Sequence, residues 1–244
     1  MRRSIASFIF ILAVASIAWA ADAPWKGKPY DQWNDKDLER IFGDSPWARI
    51  STIVRTWSST SGAAASGSGN DPRRTTGGAG PSGRAGSPAS GSNAPETDDL
   101  NFYVHWASSR VMRAASARKA VLHGGKTDLD VTKYANQPQD EYQISVRSED
   151  MSPFLRHDEK FYEANSYLER KKSKTRISPS HVTYERDDKG VSTVIFFFPK
   201  KTASGDPTVL TEEKNVDFST KIEGATLRVT FEPAKMIDSQ GPSL

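Results

Sequence analysis

Val191-Ser192-Thr193-Val194-Ile195-Phe196-Phe197-Phe198-Pro199 is a stretch in which both alternating faces of an extended chain are apolar. Val194, Phe196 and Phe198 point one way, and Ile195 and Phe197 the other. That is the pattern of a strand covered on both sides, so the central strand of the fold is expected here. Pro199 ends it, having no N–H to give to a ladder.

Working outward, His181 to Glu185 reads as a preceding strand, joined to this one by the turn Asp187-Asp188-Lys189-Gly190. Downstream, Val216, Phe218, Thr220 and Ile222 alternate with Asp217, Ser219 and Lys221. Leu227, Val229 and Phe231 do the same with Arg228, Thr230 and Glu232. These are two strands with one wet face, linked by Glu223-Gly224-Ala225. Upstream, Tyr142, Ile144 and Val146 face inward on another strand. Phe102, Val104 and Trp106 share one face of a further strand, with Tyr103 and His105 on the other. Ala48 to Trp57 alternates Ile50, Thr52 and Val54 with polar or basic residues and makes one more.

Three segments have helical spacing. In the first, Trp33, Leu38, Ile41 and Phe42 recur behind Asn34, an N-cap with Asp35 and Asp37 in the first turn, and Gly43 closes the helix. The second is capped by Ser108 or Ser109, carries Val111, Ala114, Ala115, Val121 and Leu122, and stops at Gly124-Gly125. A third is expected from Asp158 to Lys172, with Phe161, Ala164 and Leu168 on its buried side. The class implied is α+β: a mostly antiparallel sheet with about three packed helices, interrupted by a long disordered loop.

That loop is Ser58 to Thr97. Of its 40 residues, 33 are Gly, Ser, Ala, Pro or Thr, and none is a large apolar residue. Such a composition buries too little apolar area to offset its ordering entropy. Residues 21–57 and 98–244 are therefore read as two pieces of a single domain. Thirty-seven residues with neither disulfide nor metal would not fold alone.

Residues 1–20 read as a signal peptide: Arg2 and Arg3 charge the n-region, Ser4 to Ile17 is mostly apolar, and Ala18-Trp19-Ala20 fits the small-x-small cleavage rule. The apolar run is shorter than the roughly 20 residues that span a bilayer, so cleavage is expected and no membrane insertion after it. Export places the chain in the periplasm or outside the cell. Loss of Arg2 and Arg3 leaves 31 basic against 30 acidic residues, a net +1 in place of +3. A near-balanced chain is no case for a nucleic-acid partner. With no cysteine, disulfides and thiolate metal sites are excluded.

Residue types that carry chemistry are present but scattered. His157-Asp158-Glu159 is the closest local cluster, yet it stands where a helix begins, and capping accounts for it. His123 is in the last turn of a helix, and His105 and His181 lie on strands that only folding could bring together. Gly78 to Gly83 spells G-x-G-x-x-G without the flanking strand and helix. Gly125-Lys126-Thr127 lacks the first glycine of a P-loop, Ala120 standing in its place. Trp25, Tyr30, Trp33 and Trp47 would serve as a sugar-stacking platform or, more simply, pin a short helix to a sheet. Arg170, Lys171, Lys172, Lys174 and Arg176 form the densest basic cluster, at the expected C-terminus of the third helix. No catalytic residue, metal ligand or cofactor site is indicated, and no binding residue is singled out.

Lys28-Pro29-Tyr30, Trp33 with Asp35-Lys36-Asp37, Asp44-Ser45-Pro46-Trp47-Ala48, Ser178-Pro179-Ser180, Phe196-Phe197-Phe198-Pro199-Lys200, Asp217-Phe218, Phe231 and Met236 together give a recognisable pattern. The chain resembles a group of uncharacterised exported proteins common in soil bacteria of the Acidobacteria type. The resemblance spans most of the chain outside the loop and implies export and a shared fold, with no activity attached. The expected function is a non-catalytic binding or structural module of the cell envelope, with an envelope protein or polymer as partner. The alternative is a hydrolase of envelope or extracellular polymers whose carboxylates are assembled by folding.

Overall fold

The computed structural model describes residues 23–57 and 96–244. The expected signal segment, and all but the last two residues of the expected loop, lie outside the described residues. The chain divides into two units. One runs to Ile53 and resumes at Leu100; of the other, Val54–Asp99, the described parts are the strand residues 54–57 and 96–99.

The first segment holds α1 (Pro24–Gly27), a 3-10 turn (Tyr30–Gln32) and α2 (Asp35–Gly43), followed by β1 (Ala48–Trp57). After the gap come β2 (Glu96–Trp106), α3 (Arg110–His123), α4 (Val131–Asn136) and β3 (Glu141–Arg147). Then follow α5 (Glu159–Asn165), β4 (Ser166–Arg170), β5 (Thr175–Ile177), β6 (His181–Asp187) and β7 (Gly190–Pro199). β8 (Val216–Ile222), β9 (Ala225–Phe231) and the two-residue strands β10 (Ile237–Asp238) and β11 (Gly241–Pro242) complete the chain.

This is the expected α+β class, with the strands distributed over two main antiparallel sheets. One has the order β1-β2-β3-β7-β6 and the other β5-β4-β8-β9. Their apolar faces meet. Phe196 of β7 lies 5.0 Å from Phe218 of β8, and Trp106 of β2 lies 5.3 Å from Phe231 of β9, ring centre to ring centre. Each fully buried aromatic side chain contributes about 1.5–3 kcal/mol of transfer free energy to that seam.

The apolar stretch around Phe196 is β7, with neighbours on both sides, although β3 and not β7 is the middle strand. Its two faces also differ from expectation. Val194, Phe196 and Phe198 are buried, whereas Ile195 and Phe197 are half-buried, because their face looks into an open hollow and not onto another layer.

Two further expectations are corrected. The helix expected over Asp158–Lys172 stops at Asn165, and the chain passes straight into β4. Glu163, Ala164 and Leu168 through Lys171 are good helix formers, but Leu168 sits in register with both Phe218 and Ile177, and that pairing overrides local propensity. The alternating polar face of β8 is not wet either, since Asp217 is 1% and Ser219 2% exposed. Thr230 donates to Asp217 at 2.7 Å and Lys171 approaches it at 3.2 Å. Tyr167 lies opposite Ser219 on β4. A buried carboxylate held by a hydroxyl and an ammonium is an allowed core residue.

Local signals set the helix ends. Asn34 and Asp37 form a reciprocal capping box on α2, and Ser109 accepts from the Met112 amide to start α3. Gly124 closes α3 because a Cβ there would stand 2.8 Å from the Ala120 carbonyl oxygen, and Gly125 follows with φ +68°. Among the described residues no helix is long and apolar enough to cross a membrane.

Candidate functional site

The half-open face of the five-stranded sheet is the floor of a hollow of about 880 Å³. Strand register orders that floor into rows, since side chains at paired positions stand side by side on one face. Tyr103 pairs with Arg147, whose guanidinium reaches Thr193, and Thr193 pairs with Glu185. His105, Ser145, Ile195 and Thr183 form the next row, and Gln143, Phe197 and His181 the one after. α3 supplies the opposite wall. Met112, Ser116, Lys119, Ala120 and His123 line the hollow, and their spacing of four, three, one and three residues puts them on one helical face. Tyr134 of α4 and Phe42 at the end of α2 complete the rim.

The walls are fixed by hydrogen bonds to backbone. Arg113 of α3 is buried and donates to the carbonyl oxygens of Ala135 at 3.0 Å, of Tyr134 and of Gln137, which ties α4 to α3. These carbonyls are at the C-terminal end of α4, where a helix runs short of its own donors, and that of Tyr134 also accepts from the Gln137 amide at 3.3 Å. On the floor, Arg147 donates through Nε to the Thr193 hydroxyl at 2.9 Å and has Glu185 at 3.6 Å.

His105 is the most informative side chain in the hollow. Its Nε2 lies 2.9 Å from the Phe42 carbonyl oxygen, which accepts and never donates, so Nε2 carries the proton. Burial pushes the pKa of the ring down to about 4, and the nearby Arg147 charge acts in the same direction. At neutral pH His105 is therefore an uncharged ring whose Nδ1 is an acceptor.

The other residues singled out in the sequence are placed as follows. His105 and His181 share the sheet face but lie on β2 and β6, with β3 and β7 between, which at normal strand spacing is about 14 Å. His181 instead stacks on Phe197, ring centres 4.0 Å apart. His157 stacks on Phe161 at 3.7 Å, and Asp158 caps α5 by accepting from the Phe161 amide. His123 bonds to Asp35 at 2.6 Å. Gly125 belongs to the end of α3, and Gly78 to Gly83 lies outside the described residues. Among the described residues no three His, Asp or Glu side chains converge as a metal-ligand set.

Trp25, Tyr30, Trp33 and Trp47 follow the simpler of their two readings, as packing residues: all four are buried. Trp25 and Trp47 meet edge to face at 5.6 Å, Trp47 donates to the Ser243 carbonyl at 2.6 Å, and Tyr30 donates to Asp238 at 2.9 Å. These rings fasten the N-terminal segment to the C-terminal one. Asp238 also takes two bonds from Arg110 of α3.

The basic cluster lies at the β4–β5 hairpin and not at a helix end. Arg170 pairs with Glu213 at 2.6 Å, Lys171 with Asp217 at 3.2 Å and Arg176 with Glu169 at 2.7 Å, so most of its charge is balanced within the second sheet.

Tyr134, Gln137, Gln139, Gln143, Ser145 and Arg147 were not expected as residues of one hollow. The usable signal was on β3: if Tyr142, Ile144 and Val146 face the core, then Gln143, Ser145 and Arg147 share the opposite face. No protein-family model, curated protein or solved structure matches this chain.

Proposed function

We propose that the chain is an exported, non-catalytic binding module of the cell envelope and that the hollow between α3 and the five-stranded sheet is its ligand site. The observation that carries this reading is the polarity of the lining: Glu185 is its one carboxylate among the described residues, and Arg147 stands beside it. Hydrolysis by paired carboxylates needs two such groups about 5–10 Å apart, one of them free to move a proton. The remaining polar lining is amides, hydroxyls, the imidazoles of His105 and His123 and the cations Arg113 and Lys119, which can hold a ligand but do not make a carboxylate pair. Export is supported by the charged n-region, apolar run and Ala18-Trp19-Ala20 of the first twenty residues, and by the resemblance to exported proteins.

The test is to incubate the purified chain from Ala21 onward with the insoluble polymer fraction of a bacterial envelope. Binding to the pellet, with no soluble fragments released by mass spectrometry, supports the module. Release of fragments that stops in Glu185→Gln would make it a hydrolase. The mass of the exported protein checks the compartment: a mature N-terminus at Ala21 is expected, and a mass that still contains Phe8 to Val14 would mean the segment is retained.

A further inference from the structure

We infer that the hollow takes a short neutral oligosaccharide, with sugar rings against Tyr103 and Tyr134 and sugar hydroxyls on His105, Ser145 and the amide side chains of the rim. The inference rests on the reading of this hollow as a binding site and names its ligand.

The site is on the face of a sheet, where backbone N–H and C=O groups are consumed in the ladders that join β2, β3, β7 and β6. A ligand in the hollow therefore meets side chains. An extended peptide, which gains most from backbone pairing, is recognised at a sheet edge instead.

The side chains offered suit a polyol. His105 presents Nδ1 as an acceptor, because its Nε2 proton is committed to the Phe42 carbonyl. Directly across the ladder stands Ser145, whose hydroxyl both donates and accepts. Neither His105 Nδ1 nor the Ser145 hydroxyl has a partner among the described residues. An acceptor beside a donor-acceptor complements two neighbouring hydroxyls on one sugar. Gln137, Gln139 and Gln143 add amides, which pair with hydroxyls or with acetamido groups.

Two rings complete the match. Tyr103 is 37% and Tyr134 38% exposed, among the few large apolar side chains open to solvent in the described residues. An aromatic face of this kind gains from covering the C–H face of a sugar ring while the phenol oxygen stays wet.

A sugar needs none of the charged groups around the hollow. Arg147 is occupied by Thr193 and Glu185, and Arg113 by three carbonyl groups. At the rim, Lys119 stands 5.8 Å over the Phe42 ring and His123 is bonded to Asp35. Lys119 has no carboxylate partner among the described residues, so the salt dependence of binding is what separates an anion drawn to it from a neutral sugar. About 880 Å³ lies within the roughly 300–1,000 Å³ of small-ligand sites, room for a few sugar units.

The test is calorimetric titration of the chain from Ala21 onward with cellotetraose, maltotetraose and tetraacetylchitotetraose, and with tetra-alanine as the peptide comparator. At least one sugar is expected to bind with a dissociation constant below about 1 mM. Tyr103→Ala and Tyr134→Ala should each weaken it about tenfold. His105→Phe should weaken it and His105→Asn retain part of the affinity, and raising the salt from low to high should leave it unchanged. Circular dichroism of each variant separates lost binding from lost fold.

The inference is overturned if no sugar binds, if both tyrosine variants bind like the parent, or if affinity falls steeply with salt. Tetra-alanine bound in the hollow, with no sugar bound, removes the sugar and leaves the binding site. A sugar bound and shortened keeps the sugar and removes the non-catalytic reading. No binding by any of the four, and none to the envelope fraction, removes both.

Discussion

On one face of the five-stranded sheet, Val104, Ile144, Val194 and Phe196 are shut away from solvent against the second sheet. On the other, Tyr103, Ser145, Arg147 and Ile195, which alternate with them along the same strands, line the hollow beneath α3. The contrast is sharpest within β7. Ile195 and Phe197 are as apolar as Val194 and Phe196, yet one pair is half-exposed and the other closed. Apolar character gives a side chain a reason to leave water, but what it meets depends on the layer above it. Here one face has a complete sheet above it and the other a row of helices that stands off the floor.

The largest test of that contrast is a pair of truncations on adjacent residues. Phe196→Ala should cost about 3–5 kcal/mol in urea unfolding, because it opens a cavity among Phe154, Tyr162 and Phe218. Phe197→Ala removes a ring that is half-exposed and stacked on His181, and should cost no more than about 2 kcal/mol. Equal losses would break the distinction between the faces.

His105 gives the next largest effect, and its direction follows from its depressed pKa. In the unfolded chain the imidazole takes a proton near pH 6.5; in the folded chain it does so near pH 4. Between those values the unfolded state binds a proton that the folded state refuses, so stability falls as pH drops from about 6.5 to 4 and the loss is complete below that. The full loss is roughly 3 kcal/mol. His105→Gln keeps a donor for the Phe42 carbonyl and has nothing to titrate. Its stability relative to the parent should rise between pH 7 and pH 4, and a parallel pH profile for the two proteins would contradict the buried neutral ring.

A smaller effect is expected where the sheet meets the undescribed stretch. Trp47 accepts from the Trp106 amide and Thr52 bonds to Asn101, so β1 and β2 run antiparallel as neighbours. Replacing residues 58–95 with a turn of about five residues should keep the fold and add up to about 1.8 kcal/mol, three halvings of loop length at about 0.6 each. Unfolding of the shortened chain would mean that residues 54–99 contribute more than a connection.

Smallest of all, Tyr103→Ala should cost no more than about 1 kcal/mol, because more than a third of its surface is already exposed. A large loss would show that the open face is as sealed as the other.

Much of this fold was legible in the chain because alternation and capping are local. Asn34, Ser109 and Asp158 announce the starts of α2, α3 and α5 through side chains that reach amides two or three residues on. Phe102, Val104 and Trp106, or Tyr142, Ile144 and Val146, mark inward faces by a period of two. The hollow was not legible in this way. Its residues come from α2, α3, α4 and four strands, each polar residue reads alone as ordinary surface, and its aromatic members are less conspicuous than the tryptophans of the N-terminal segment, which proved to be core.

The sequence by itself determined which residues turn inward on β2, β3 and β9, where α2, α3 and α5 begin, that no disulfide or thiolate site exists, and that residues 58–97 are poor in core-forming side chains. Tertiary structure alone decided that the strands form two facing sheets, that Ser166 to Arg170 is β and not helix, that Asp217 is buried, and that one face of β7 stays open. The physical reason is the range of the forces. Capping and backbone alternation act within a few residues, whereas pairing such as Leu168 with Phe218, or shelter such as Phe42 gives to His105, depends on partners dozens of residues away.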